Sequence, residues 1–128
     1  MDAVIDRPPR DEGETDGARR VRAFRATDHF VLAAWQAARG FARGDGEALA
    51  GEIRRNVARS GGALVAASTA SDTDPAARQS IAAAHQGLLE IRYFLYLARR
   101  LGCLDLKKYK QLASLQDAAL RELAALLG

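Results

Sequence analysis

The chain has 128 residues, of which 48% are hydrophobic but only 6% aromatic, with three prolines. That is enough for one domain with its own core and too few strand formers and turn signals for a β-sandwich, so an all-α fold is expected. A single cysteine, Cys103, excludes an intramolecular disulfide, and without CxxC or Cys/His spacing it gives no zinc site.

The formal net charge of +3 is unevenly placed. Residues 1–26 hold six acids and six arginines and cancel, so the surplus belongs to residues 27–128, with 10 acids and 13 bases. That bias permits nucleic-acid binding without requiring it. Residues 1–26, RPPRDEGETDG followed by ARRVRAFR, carry few apolar side chains to offset the entropy of ordering. They are expected to form a flexible N-terminal tail, its arginines 19, 20, 22 and 25 making a basic arm.

The first helix is expected from Thr27 or Asp28, either of which can cap free backbone N–H groups, through HFVLAAWQAARGFAR to the glycines of GDG. Phe30 or Val31, Ala34 or Trp35, Ala38 and Phe41 recur at three- and four-residue steps and align on one face, with Trp35 as a core anchor. Asp45 is expected to cap the second helix, with Glu47 near the positive end of its dipole.

The second helix contains the ambiguous stretch EIRRNVARSGGALVAAS. A phosphate loop would need a preceding strand and a GxxxxGK[ST] pattern. Here the ladder Leu49, Ile53, Val57, Leu64 keeps its phase across Gly61-Gly62, so one continuous helix is expected. Two helical glycines cost about 1 kcal/mol each relative to alanine, which asks for a bend or a close helix approach.

Asp74 before Pro75 is a cap followed by proline at the first helical position, and opens a third helix over about 75–101. Ile81, Ala84, Leu88, Ile91, Leu95 and Ala98 form its seam. Leu89, Tyr93, Phe94, Tyr96, Leu97 and Leu101 point in other directions, so burial on more than one side is expected. Gly102 stops this helix, and Asp105 caps a fourth with Leu106, Tyr109, Leu112, Leu115 or Gln116, Leu120, Leu123 and Leu127. Four helices joined by short turns predict an antiparallel up-down-up-down four-helix bundle over 27–128.

Catalysis has no visible home in this pattern. His29 and His85 lie on separate helices without metal-ligand spacing, no serine has a GxSxG setting, and no carboxylates are paired. The expectation is a non-enzyme with no catalytic residues, no metal and no cofactor. Glu90, on a face with Phe94, Leu97 and Leu101, is either solvent-exposed or paired with Arg54 or Arg55.

The functional-looking set is basic. Arg55 and Arg59 share a face at i,i+4, Arg39 and Arg43 do the same on the first helix, Arg92, Arg99 and Arg100 follow on the third, and Lys107, Lys108 and Lys110 on the fourth. Arg54, Arg55 and Arg59 are the first candidates for phosphate contacts, with Arg39, Arg43 and Arg99 next. No apolar run approaches about 18 residues and MDAVIDRPPR lacks the apolar stretch of a signal peptide, so no membrane contact and a cytoplasmic location are expected.

Trp35-Gln36, Ile53-Arg54-Arg55, Glu90 and Ala98-Arg99-Arg100-Leu101-Gly102-Cys103-Leu104, with Tyr109 beyond, are the positions at which the chain resembles a bacterial four-helix-bundle family. That family comprises proteins encoded by intervening sequences in 23S ribosomal RNA genes, and the chain is similar also to accessory variability proteins of diversity-generating retroelements. The resemblance covers about residues 27–126. It implies a long antiparallel bundle assembling into a homopentamer with a basic surface, and for the retroelement branch binding to RNA or DNA and to a reverse transcriptase. Where family members often carry a SIPxNIAEG-like segment, this chain reads RSGGALVAA and lacks its asparagine and glutamate. The competing expectation is a protein-binding scaffold without nucleic-acid affinity.

Overall fold

The computed structural model describes residues 15–41, 44–69 and 74–128. They form four helices, α1 (Asp16–Ala38), α2 (Asp45–Ser68), α3 (Pro75–Arg100) and α4 (Leu106–Leu127), with no strand among the described residues. Each helix packs on its neighbours in sequence and α4 closes on α1, while the backbones of the diagonal pairs α1/α3 and α2/α4 do not approach closely. Contacts between opposite helix ends fix the antiparallel sense. Arg20 of early α1 donates to the Ala67 carbonyl of late α2, and Arg22 pairs with Glu122 of late α4 at 2.9 Å. Arg78 of early α3 donates to the Leu127 carbonyl. The chain is an all-α, antiparallel four-helix bundle, and α3, at 26 residues, is about 39 Å long at 1.5 Å per residue.

The core is one cluster running the length of the bundle. The α3 seam of Ile81, Ala84, Leu88, Ile91, Leu95 and Ala98 is buried as its spacing predicts, against Ile53, Val57 and Leu64 of α2, Phe30 of α1, and Leu112 and Leu123 of α4. On α4 the buried choice is Gln116, not Leu115. Its amide Nε2 donates to the Leu88 carbonyl at 2.6 Å, so a polar side chain is accommodated with its donor satisfied.

Two helix starts match their sequence signals. Asp74 Oδ1 accepts from Ala76 N at 2.9 Å and Asp105 Oδ1 from Lys108 N at 2.7 Å. The turn after α3 is a Schellman motif: Cys103 N donates to Ala98 O at 2.8 Å, Gly102 N to Arg99 O at 3.2 Å, and Gly102 takes the required left-handed backbone at φ 80°.

The other two starts differ. Helix α1 begins at Asp16, capped by Thr15, whose Oγ1 accepts from Ala18 N at 3.0 Å. Thr27, expected to cap it, is instead buried inside it beside Ala23 and Phe30. Residues 16–26 are therefore helical and not part of a tail, whereas residues 1–14 lie outside the described residues. The reason is that α1 buries small side chains here, and the long aliphatic stems of arginine supply helix propensity without registering as apolar. Helix α2 is capped by the backbone of Gly44 at φ 79°, and Asp45 is its first residue, not its cap.

Trp35 is a further correction. The core positions of α1 are Phe30, Ala34 and Ala38, and Trp35 is 38% exposed. Helix α2 is unbroken through Gly61 and Gly62, as expected, but neither glycine serves packing inside the chain: a Cβ at either would meet nothing within 4 Å. The close approach between α2 and α3 uses Gly87, whose missing Cβ leaves room for the buried Ser60. Within the single chain, helix α3 buries its seam and leaves another side open. Phe94 and Leu97 pack against the core, while Leu89, Tyr93, Tyr96 and Leu101 are exposed.

Candidate nucleic-acid interface

The arginines of α2 are held by their own surroundings. Arg55 Nη2 lies 2.5 Å from Glu52 Oε2, one helical turn away. Arg59 Nη1 donates to Asn56 Oδ1 at 3.1 Å, and Asn56 Nδ2 in turn donates to the Glu52 carbonyl at 2.7 Å. Arg55 and Arg59 are exposed on the shared face that their spacing predicts. An exposed ion pair such as Arg55–Glu52 contributes about 0–1 kcal/mol, so the Arg55 guanidinium could be released to a phosphate at small cost.

Arg54 is different. Its guanidinium carbon stands 5.2 Å from the centroid of the Trp35 ring, and its Nε is buried without an acceptor among the described residues. A partly desolvated guanidinium on an indole face is attracted by about 1 kcal/mol, which gives Arg54 a structural task. Neither Arg54 nor Arg55 reaches Glu90, which is exposed and approached by Gln86 Nε2 at 3.5 Å. The pairing alternative for Glu90 is thus not realised.

The six candidate arginines do not form one patch. Arg54, Arg55 and Arg59 lie along the middle of α2. Arg39 caps the end of α1 and Arg99 lies in the last turn of α3, both exposed. Arg43 lies outside the described residues. In an up-down-up-down bundle, the ends of α1 and α3 and the starts of α2 and α4 share one end of the molecule. Arg39 and Arg99 therefore lie at the same end of the bundle as Arg100, Lys107, Lys108 and Lys110, all exposed.

The physical reasons for these cations differ. Arg99 and Arg100, in the last turn of α3, complement the negative end of its dipole. Lys107, Lys108 and Lys110 sit in the opening turns of α4, at the positive end, where cations are unfavourable by a few tenths of a kcal/mol each. Helix α4 has no acid in its first turn, and the Asp105 carboxylate accepts the Lys108 backbone N–H. The lysines therefore do not stabilise their own helix. Beside them, between α1 and α4, runs an open groove of about 430 Å³ whose polar lining is His29, Lys108, Gln111 and Ser114. Such donors suit phosphate and sugar oxygens.

His29 is on α1 and His85 on α3, diagonal helices whose backbones do not approach closely, and the described residues hold no group of three or more His, Cys, Asp or Glu placed to hold a metal ion. No helix of the described residues is long and apolar enough to cross a membrane. No family model, curated protein or solved structure matches this chain.

Proposed function

We propose that this protein is a non-enzymatic, homo-oligomeric helical-bundle accessory protein that binds RNA or DNA through the basic end of its bundle. It is of the type encoded by intervening sequences in 23S ribosomal RNA genes, and works in the cytoplasm. The observation that carries the reading is the lysine cluster Lys107, Lys108 and Lys110, set against the dipole of α4 and beside Arg39, Arg99 and Arg100. Cations that cost their own helix stability have a use elsewhere, and a polyanion is the partner that rewards several at once. The family resemblance at IRR and LGCL supports the same reading and implies five copies; repeating the basic end around a ring would multiply phosphate contacts. A reverse transcriptase is the protein partner that the retroelement branch implies.

The test is fluorescence anisotropy of a labelled structured RNA and a matched duplex DNA over a range of salt. Binding whose log affinity falls linearly with log salt is expected; flat traces at low salt would remove the reading. A second reading, a scaffold that binds only protein, is favoured by the exposed apolar side chains of α3 and predicts those flat traces.

A further inference from the structure

Two apolar surfaces lie on different sides of the bundle. On α3, Leu89, Tyr93 and Tyr96 recur at i, i+4 and i+7, opposite the buried seam, and Tyr93 is 60% exposed. The two tyrosine rings stand 6.5 Å apart, and Arg100 covers Tyr96 at 5.8 Å, so the stripe is already ordered. On α1, Val21, Phe24, Leu32 and Trp35 are exposed along one side. Arg54 of α2 meets Trp35, and Ala58, Gly61 and Val65 follow Arg54 at helical steps of four, seven and eleven. They place a small-residue floor beside the α1 side chains, with Val65 exposed at its far end.

Gly61 and Gly62 give this floor its meaning. Each weakens α2 by about 1 kcal/mol relative to alanine, and nothing in the chain occupies the space their side chains would fill. We propose that a second copy of this chain fills it, docking its α3 stripe of Leu89, Tyr93 and Tyr96 onto the α1–α2 face of the first. The proposal rests on the homo-oligomeric reading above and names the surfaces that make it.

Charge and area select a second copy as occupant. Asp28 lies on the α1 stripe between Phe24 and Leu32, exposed and without an ion pair among the described residues. Arg100, one turn beyond Tyr96, contacts a ring and has no ion pair among the described residues. One stripe thus carries an acid and the other a cation, charges of opposite sign for the contact. The exposed parts of the eight apolar side chains present on the order of 700 Å², taking about 150–250 Å² for a fully exposed large side chain. That matches the apolar share, a little over half, of the roughly 1,200 Å² at the lower bound of a stable interface. Because α1 and α3 occupy opposite corners, the two surfaces are different, and the contact is head-to-tail: each copy uses both, so copies add in series and give a ring where the rotation per copy closes.

The test is complementation by two broken surfaces. Tyr93→Asp breaks the stripe and Gly61→Glu fills the floor; both positions lie outside the core, and circular dichroism checks that each variant folds. Tyr96→Asp and Val65→Asp are substitutes at equally exposed positions. Analytical ultracentrifugation is expected to find the wild-type chain assembled, each variant monomeric with at least hundredfold weaker self-association, and their equimolar mixture a species of twice the 13.8 kDa chain mass. The mixture stops at two copies because only one intact surface of each kind remains. A wild-type chain that stays monomeric at all concentrations would sink the homo-oligomeric reading itself. An assembled wild type whose variants still assemble, or whose variants stay monomeric when mixed, would overturn the docking surfaces alone.

Discussion

Gly87 of α3 and Ser60 of α2 form a close contact between two helices of the bundle core: a side chain on Gly87 would run into the Ser60 hydroxyl. Ser60 is buried, and its Oγ has no hydrogen-bond partner among the described residues. The pair sets how closely α2 and α3 approach, and these are the most extensively packed helices in the molecule.

A double-mutant cycle reads that contact. Gly87→Ala gains about 1 kcal/mol of helix propensity but overpacks the interface at a cost of about 1–3 kcal/mol, so alone it is expected to lower the melting temperature. In a Ser60→Ala background the hydroxyl is gone, and the same change is expected to raise stability by about 0.5–1 kcal/mol. Additive effects in urea titrations would show that the two residues do not press on each other.

The glycines of α2 behave oppositely. Gly61→Ala and Gly62→Ala place methyl groups in open space and are each expected to stabilise the chain by up to about 1 kcal/mol, or about 4 °C. The measurement belongs in the Tyr93→Asp background, which is expected to be monomeric, so that intermolecular contacts do not contribute. Gly102→Ala, at φ 80°, is expected to destabilise by about 1 kcal/mol in the same assay. A loss of stability at position 61 or 62 would mean that the space is occupied within the chain.

Trp35 is the only tryptophan, so its emission reports the Arg54 contact directly. Arg54→Ala uncovers the indole face and is expected to shift emission to the red and cost about 0.5–1 kcal/mol. Arg55→Ala, which removes only an exposed pair with Glu52, is expected to leave both unchanged within about 0.5 kcal/mol. Equal spectral shifts in the two variants would deny Arg54 its special place.

For nucleic acid, Lys107→Ala, Lys108→Ala and Lys110→Ala together are expected to weaken binding and reduce the magnitude of the salt slope by up to about three, near one for each phosphate left without its cation. Thermal stability should rise slightly, because unfavourable charges leave the positive end of α4. The triple change Arg54→Ala, Arg55→Ala, Arg59→Ala is expected to alter the slope less. The reverse ranking in a salt titration would move the interface to the middle of α2.

The parts of the fold that were legible in sequence are those in which one local rule acts alone. Asp74-Pro75 and Asp105 are caps by their own chemistry, and the α3 seam has a single apolar phase. Helix α1 offered two phases, Phe30 with Ala34 or Val31 with Trp35, and periodicity does not weigh side-chain volume. The space left by α2, α3 and α4 took Phe30 and two alanines and turned the indole outward. The Gly87–Ser60 contact was invisible because a helical glycine shows its purpose only once the opposing side chain is known. For the basic residues, spacing along a helix revealed faces. Only the alternating direction of the helices brings Arg39, Arg99 and the α4 lysines to one end.

The order of helices around the bundle also ranks them by how firmly they are held. Three of the four packed pairs are hairpins closed by a few residues, whereas the Arg22–Glu122 pair joins α1 and α4 across 100 residues of chain. Loop-closure entropy grows as about 1.5RT times the logarithm of loop length, so bringing these ends together from the open chain costs roughly 2–3 kcal/mol more than closing a hairpin. The long closure is shared by α1 and α4, so these two terminal helices are the elements that can detach while the α2–α3 hairpin persists. Hydrogen exchange would find their amides opening at lower free energy than those of α2 and α3.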